Sequence, residues 1–543
     1  MTKIGWNDNE ELIIKIDLND ERFRTQVYEM VKEFFNPKEI VVSVDGVFRE
    51  EYISEKIQEI LRLTIAIEET SFYFQEDVRD FIFSINIKDK NDQELAGIVQ
   101  RGSDIPMLLT NKDENGIVKA RYVIKILLYK MFCSVTGLQL PWGCMTGVRP
   151  VSFINRLLKN GAKRGEIQKE LRNNLFVTPE KETLALLVSD NQQAIITDTD
   201  SASISLYLNI PFCPTRCLYC AFTANPVSKY EKLIDHYINT MINEMEVCEE
   251  VLKNSFFKIR SIYMGGGTPT SINAKQLDRI LETMDRLWIK TENRDVLQEY
   301  SVEAGRPDSI TEEKLDVLKK WGVRRISRNP QTLNEETLRL IGRQHTTEEF
   351  MQAYELARSK GFDNINVDLI AGLPGEDFSK FKYTLDKILE LSPENITIHT
   401  LSVKRASDLK LRKEEYILSD GFDVASMVNY ASERLTGAGM QPYYMYRQKN
   451  MLGNLENVSY TKPGYESYYN VHIMEEDQHI IAFGSGGSSK AVFKGRIEKS
   501  FNTKSVEEYI GKKEEVIDRK KNFVYNNLVE SKWLEESQPK GSA

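Results

Sequence analysis

Three of the chain's six cysteines fall close together, at Cys213, Cys217 and Cys220 in "NIPFCPTRCLYCAFTAN", with gaps of three residues and then two. Thiolates so close together are soft metal ligands. A zinc ribbon needs two paired Cys-x-x-Cys hooks, and the second hook is missing. A redox Cys-x-x-Cys leaves the third cysteine without a task. Three thiolates on one short loop can instead hold three corners of a cubane iron–sulfur cluster. The fourth iron then has no protein ligand, and an open iron can bind a small molecule. The remaining cysteines are isolated. Cys248 continues the apolar helical stripe of Tyr237, Met241 and Met245, and Cys133 ends "YVIKILLYKMFC". Cys144 sits in "PWGCMTGVRP" with no other Cys or His close by. All three read as structural.

The elements that must position the thiols alternate between two periods. "SISLYLNIP" reads as a strand ending at the cysteine loop, and an amphipathic helix follows over about 228–252. "IRSIYM" is a strand running into "GGGTP", and "AKQLDRILETMDRLW" repeats apolar residues at helical spacing. "QEYSVEA" is a strand, after which Ser309 and Glu312 suggest a capping box for "EKLDVLKKWG". The strand "VRRIS", helices near 334–341 and 346–360, the strand "INVDLI", the helix "FSKFKYTLDKILEL" and a sixth strand "NITIHTL" complete the series. Six alternations imply parallel strands with crossover helices. The candidate residues gather at the strand ends, where parallel barrels bind ligands. Gly265, Gly266 and Gly267 would let the backbone approach a ligand. Glu303 ends the third strand, and Asp368 is a polar residue within an otherwise apolar one.

Cys-x-x-x-Cys-x-x-Cys resembles the signature of radical S-adenosylmethionine (SAM) enzymes. "LYLNIPFC", "MGGGTPT", "SVEAGRPD", "ISRNPQTLN", "IGRQH" and "VDLIAGLPGE" resemble, in the same order, the oxygen-independent coproporphyrinogen III oxidase superfamily over roughly residues 203–490. The long N-terminal region with "PWGCMTGVRP" is similar to the HemZ, or coproporphyrinogen dehydrogenase, branch. The resemblance implies an α/β fold: an incomplete (β/α)6 TIM-like radical SAM barrel with an open side. It implies a [4Fe–4S] cluster on Cys213, Cys217 and Cys220, and SAM, in up to two molecules. Tyr207 and Glu303 match positions for the cluster-bound SAM, with Gly265, Gly266, Gly267 and Thr268 as further cofactor-binding residues. Tyr219, Gln331, Arg343 and Asp368 match positions for a second SAM, and Asp368, Arg343 and Gln331 join the cysteines as the expected catalytic set. The implied chemistry is cleavage of SAM to a 5′-deoxyadenosyl radical, which takes hydrogen from a propionate of coproporphyrinogen III. Carbon dioxide leaves, and two such events give protoporphyrinogen IX. An electron donor such as flavodoxin or ferredoxin is implied as a partner, in a cytoplasmic oxidoreductase of porphyrin biosynthesis.

A substrate with four carboxylates calls for Arg and Lys. The candidates are Arg324, Arg325, Arg328, Lys404 and Arg405. Seven tyrosines between Tyr443 and Tyr469 could stack on a macrocycle or pack a sheet, and His472 and His479 could ligate haem iron. Two departures bear on substrate. The proven oxidases place Gly-Cys after the third cysteine, where this chain has Ala221 and Phe222. A related haem-chaperone family has a histidine where this chain has Lys449, which counts against a haem-carrying role. Haem methylation with ring opening, as in relatives that degrade haem, is a further alternative. A tRNA-modifying radical enzyme is disfavoured by the acidic balance and the absence of an RNA module.

The whole chain fits this frame. Its 543 residues exceed one core, with 41% hydrophobic and 28% charged residues and a net charge of −9. No block of Lys and Arg points to nucleic acid, no apolar run is long enough for a membrane span, and "MTKIGWNDNEELIIKIDL" does not read as the apolar region of a signal peptide. The expected organisation is a small α/β or α+β domain over 1–150 and a helical connector over 151–202. The barrel follows over 203–405, and a C-terminal α+β, substrate-covering region over 406–543. "QPKGSA" reads as a frayed tail.

Overall fold

Alternating apolar residues build the first of two sheets. The computed structural model describes residues 12–35, 39–44, 59–71, 79–89, 91–108, 117–147, 149–222, 225–289, 295–404, 406–493 and 496–530. Arg405 and the "QPKGSA" tail lie outside them. The chain divides into two units, Met1–Leu186 and Leu187–Ala543. The first holds β1 (Leu12–Leu18), β2 (Glu39–Val44), β3 (Glu59–Ser71), β4 (Arg79–Lys88) and β5 (Glu94–Arg101), in the order β2-β1-β3-β4-β5. β1 runs parallel to β2 and β3, and the other pairs are antiparallel. Every second residue of the central strands is buried: Ile14, Ile16 and Leu18; Leu61, Leu63, Ile65 and Ile67; Phe81, Phe83, Ile85 and Ile87. The helices Arg24–Phe35 and Ile117–Thr136 pack together through Phe34 and Phe35 on Phe132. Cys144 is fully buried in this unit, whereas Cys133 is only partly so.

The second unit carries one sheet of eleven strands. Its strands are β6 (Ser203–Ile210), β9 (Lys258–Gly266), β10 (Glu299–Glu303), β11 (Arg325–Ser327), β12 (Asn364–Ala371) and β13 (Asn395–Thr400), followed by β14 (Gln441–Tyr446), β15 (Asn457–Thr461), β16 (His479–Phe483), β17 (Ser488–Phe493) and β18 (Arg496–Phe501). The short pair β7 (Phe212–Cys213) and β8 (Asn225–Pro226) stands apart. All six expected strands are present and neighbour one another in parallel, β6-β9-β10-β11-β12-β13. Helices such as Val227–Leu252, Ala274–Met284 and Phe378–Glu390 make the crossovers. β6 is buried along nearly its whole length, as parallel strands covered on both faces are.

Two expectations change. The parallel set gains a seventh member, because β16 pairs in parallel with β6. The C-terminal strands thus extend the barrel sheet at both edges, and the sheet ends on β14 and β18 without closing. The helix Glu312–Lys320 is capped by Thr311, whose hydroxyl accepts from the Lys314 amide, and not by Ser309. Ser309 lies in a preceding 3-10 turn, where its hydroxyl donates to the Arg306 carbonyl. Among the described residues no helix is long and apolar enough to cross a membrane.

Candidate functional site

β6 delivers the chain to the cysteine loop, and β7 and β8 clasp its two ends by pairing Phe212 with Asn225 and Cys213 with Pro226. The middle of the loop is pinned by Leu218. Its amide donates to the Ile341 carbonyl at 3.0 Å, its carbonyl accepts from Leu409 at 2.9 Å, and its side chain is buried among Ile341, Ile370, Leu373, Leu401 and Leu409. The three cysteines therefore sit on a fixed loop rather than a floppy one. They line a cavity of about 330 Å³ at the C-terminal ends of the barrel strands. Tyr219, Gly266, Gly267, Thr268, Glu303, Gln331, Arg343 and Asp368 line the same cavity, so strand ends spaced over 150 residues of sequence converge there.

The glycines serve the chain's own packing first. A Cβ on Gly267 would stand 2.6 Å from the Phe212 carbonyl oxygen, and one on Gly265 would stand 2.9 Å from the Glu303 carboxylate. These residues keep the cysteine loop and Glu303 close to β9, which qualifies the expectation that they serve a ligand alone. The next two amides lock the arrangement: Gly267 donates to Ile210 at 2.8 Å and Thr268 to Phe212 at 2.7 Å. The Thr268 hydroxyl lies 3.5 Å from the Cys213 sulfur.

Glu303 accepts a hydrogen bond from the Tyr263 hydroxyl at 2.8 Å. Burial pushes its carboxyl up to about 7, aided by the nearby Asp368 charge and opposed by the Tyr263 bond. Tyr207 and Gly265 are not among the cavity-lining residues. Tyr207 stacks on Tyr263 and Tyr469, behind Glu303. Asp368 sits in β12, where its carboxylate accepts from Asn366 at 2.7 Å and lies 3.5 Å from His399 Nε2. Burial acts to raise its pKa, but the bonds and charge from His399 and Asn366 outweigh it and hold the carboxyl below its ordinary value. Arg343 donates to the Tyr219 hydroxyl at 3.2 Å. Gln331 has a left-handed backbone, φ 71°, held by its bridge to Leu369. A non-glycine residue in that region is strained, and such strain persists where surrounding structure imposes it.

The donor set fits the cofactors that the sequence implies. All six cysteines are free. Among the described residues no three His, Cys, Asp or Glu side chains converge as a single metal ion would require. A cubane takes one thiolate at each of three separate corners instead. Gln331 Oε1, Asn329 Oδ1 and Arg343 Nε are buried with no hydrogen-bond partner among the described residues. Buried polar atoms are rarely left so, and these three call for a polar guest.

Comparisons with known proteins identify the family. Residues 208–388 match the radical SAM superfamily. The chain is 38% identical over 458 residues to the oxygen-independent coproporphyrinogen-III oxidase-like protein HemZ of Bacillus subtilis, covering 82% of this chain and 91% of that protein. The chain belongs to the HemZ-like branch of the radical SAM superfamily. Its cofactors are a [4Fe–4S] cluster and SAM. This HemZ-like chain is also 30% identical to the heme chaperone HemW of Bacillus subtilis, over 52% of the chain and 69% of that protein. It is 31% identical to the oxygen-independent coproporphyrinogen III oxidase of Escherichia coli, over 36% of the chain and 41% of that protein.

Not every candidate reaches the cavity of this HemZ-like protein. Arg328 is fully buried and donates to the carbonyls of Ala304 and Ala353, so it ties barrel elements together. Arg324 and Arg325 line a second cavity, of about 490 Å³, at the strand-start end of β11. Of the described clamp candidates only Lys404 lines the cysteine cavity, its ammonium 4.9 Å from the centre of the Phe222 ring. His472 is buried between Thr199 and Asp477, and His479 accepts from the Val492 amide between two phenylalanines. Neither is a cavity-lining residue. Of the seven tyrosines only Tyr446 lines the cavity. Sequence reasoning missed Arg306, His399, Gln448 and Asn457, all on the cavity wall. His399 carried the signal that exposed Asp368, a polar residue inside an apolar strand. Arg306 follows Glu303 by three residues at the same strand end.

Proposed function

We propose that this protein is a radical SAM oxidoreductase acting on a tetrapyrrole, by oxidative decarboxylation of coproporphyrinogen III to protoporphyrinogen IX. The observation that carries the reading is the single cavity onto which Cys213, Cys217, Cys220, Glu303, Gln331, Arg343 and Asp368 all open. Cys213, Cys217 and Cys220 would hold the cluster, which with SAM bound would supply one-electron chemistry for removing a hydrogen atom from a propionate, with an external acceptor taking the electron left when carbon dioxide departs.

The chain's own residues bind, orient and exclude water. Cys213, Cys217 and Cys220 hold the cluster. Glu303, with Gly266, Gly267 and Thr268, holds the polar end of the first SAM. Tyr207 acts from behind, through the Tyr263 and Tyr469 stack. Gln331 and Arg343, in the segment that follows β11, and Asp368, in β12, face the cavity and position either a second SAM or the substrate. Lys404 offers positive charge to a propionate, and His399 lines the cavity beside Asp368. Lys449, where the chaperone family has histidine, is exposed.

The deciding experiment is anaerobic incubation with SAM, a reductant and either coproporphyrinogen III or haem, followed by mass spectrometry. Loss of two carbon dioxide units from coproporphyrinogen III is expected. Methyl gain on haem, or tight haem binding without turnover of either compound, would overturn the reading.

A further inference from the structure

Cys217 differs from its two partners in what touches its sulfur. Arg306 Nη1 donates to Cys217 Sγ at 3.5 Å. The guanidinium has little freedom to do otherwise. Its Nε donates to Asp308 Oδ1 at 2.9 Å and its Nη2 to Asp308 Oδ2 at 2.6 Å, a two-point fork. Nη2 also donates to the Thr215 hydroxyl, at 3.1 Å, on the cysteine loop itself. The backbone is equally fixed, since the Arg306 carbonyl accepts from both the amide and the hydroxyl of Ser309. Arg306 is 3% exposed and Cys217 9% exposed, so water screens their interaction poorly. A second guanidinium, Arg343, also lies close enough for its charge to act on Cys217.

Hydrogen bonds and positive charge at a ligand sulfur stabilise the more negative oxidation state of a cluster and raise its reduction potential. We propose that Arg306 is a positioning residue that eases one-electron reduction of the cluster through the sulfur of Cys217, with Asp308 partly offsetting its charge. The proposal rests on the reading that Cys217 is a cluster ligand. Among the described residues Arg306 makes no hydrogen bond to Glu303 or Asp368.

The test uses the full-length, anaerobically reconstituted protein without substrate, and reads iron content and the cluster's midpoint potential by electron paramagnetic resonance titration. Arg306→Gln should retain the wild-type iron content and shift the midpoint to more negative potential. Arg306→Lys, which keeps the charge, should recover part of the shift. Asp308→Asn, which removes the countercharge, should shift the midpoint the opposite way. A purely structural role would lower thermal stability in all three variants without producing shifts of opposite sign. Unchanged midpoints in Arg306→Gln and Asp308→Asn at full iron content would overturn the proposal. If Arg306→Gln fails to hold iron, Asp308→Asn decides alone, and an unchanged midpoint there overturns it. Cys217→Ala and Cys144→Ser test the underlying reading separately. Iron lost only in the first supports it, and iron retained in Cys217→Ala would remove the ligand assignment and the proposal with it.

Discussion

Glu303 is a carboxylate that the fold holds near the middle of the neutral range. With its pKa at about 7, it is mostly protonated at pH 6 and mostly charged at pH 8. A charged carboxylate accepts hydrogen bonds more strongly than a neutral acid. SAM affinity should therefore tighten as pH rises through 7, by up to about tenfold between pH 6 and pH 8, the change in the charged fraction. Stability of the SAM-free protein runs the other way. The folded pKa lies above the unfolded one, so the folded state binds the extra proton. The stabilising contribution is complete below the ordinary carboxylate range and is lost as pH rises through about 7. Glu303→Gln should flatten the affinity profile. Anaerobic equilibrium binding at the two pH values checks this, and an unchanged slope in the variant would remove Glu303 from the SAM site. The residue itself was legible because it ends a strand beside the other motifs. Its raised pKa was not, because that comes first from burial, with the Asp368 charge adding to it, and both exist only after the strands pair.

At the scale of elements, the junction of β9 with the cysteine loop is a tight point of the site. The atoms that a Gly267 side chain would strike are backbone: the Phe212 carbonyl oxygen at 2.6 Å and amide nitrogen at 2.9 Å. Backbone held in a paired strand cannot swing aside as a side chain can, so Gly267→Ala should displace β7 and with it Cys213. Overpacking of this kind costs about 1–3 kcal/mol. Iron bound per chain after reconstitution should fall, along with the melting temperature. Full iron content at wild-type stability would mean that the loop tolerates displacement. Gly265→Ala is the useful contrast, since its Cβ meets the movable Glu303 carboxylate instead. The six strands and their helices were readable from period-2 and period-3.6 patterning, and the motifs at their ends located the cavity. The helix cap at Thr311 was misread as Ser309 because both residues offer a hydroxyl with acidic residues shortly after. Only the backbone shows which of them stands at the helix start. The close approach of Phe212 to Gly267 had no sequence signal beyond the glycine run itself.

At the scale of the second unit, the seventh parallel strand was hidden because "HIIAF" stands far from the β/α alternation in sequence and is followed by an antiparallel hairpin. What holds it is a buried polar network that no local pattern announces. Lys520, on the helix Lys513–Val524, donates to the Ala482 carbonyl at 2.6 Å and the Ser489 hydroxyl at 2.7 Å, and lies 3.5 Å from Glu244 on the helix Val227–Leu252. Glu244 also accepts from the Tyr509 hydroxyl at 2.6 Å, Asn502 at 2.8 Å and the Gly484 amide at 3.0 Å. From there the contacts continue inward. Tyr237 donates to the Asn209 carbonyl at 2.6 Å, one residue from the end of β6 and four from Cys213. The C-terminal helix therefore braces the strand that carries the cysteine loop. Both charges are fully buried, and removing one partner of such a pair leaves the other uncompensated, at a cost of about 3–5 kcal/mol. Lys520→Met should show that loss in denaturant unfolding, with faster amide exchange in β16 and at the end of β6. The double variant Glu244→Gln/Lys520→Met should regain part of the stability, because no lone buried charge remains. If the single variant matched wild type in stability and exchange, or the double variant were worse than the sum of the singles, the network would not be the brace described.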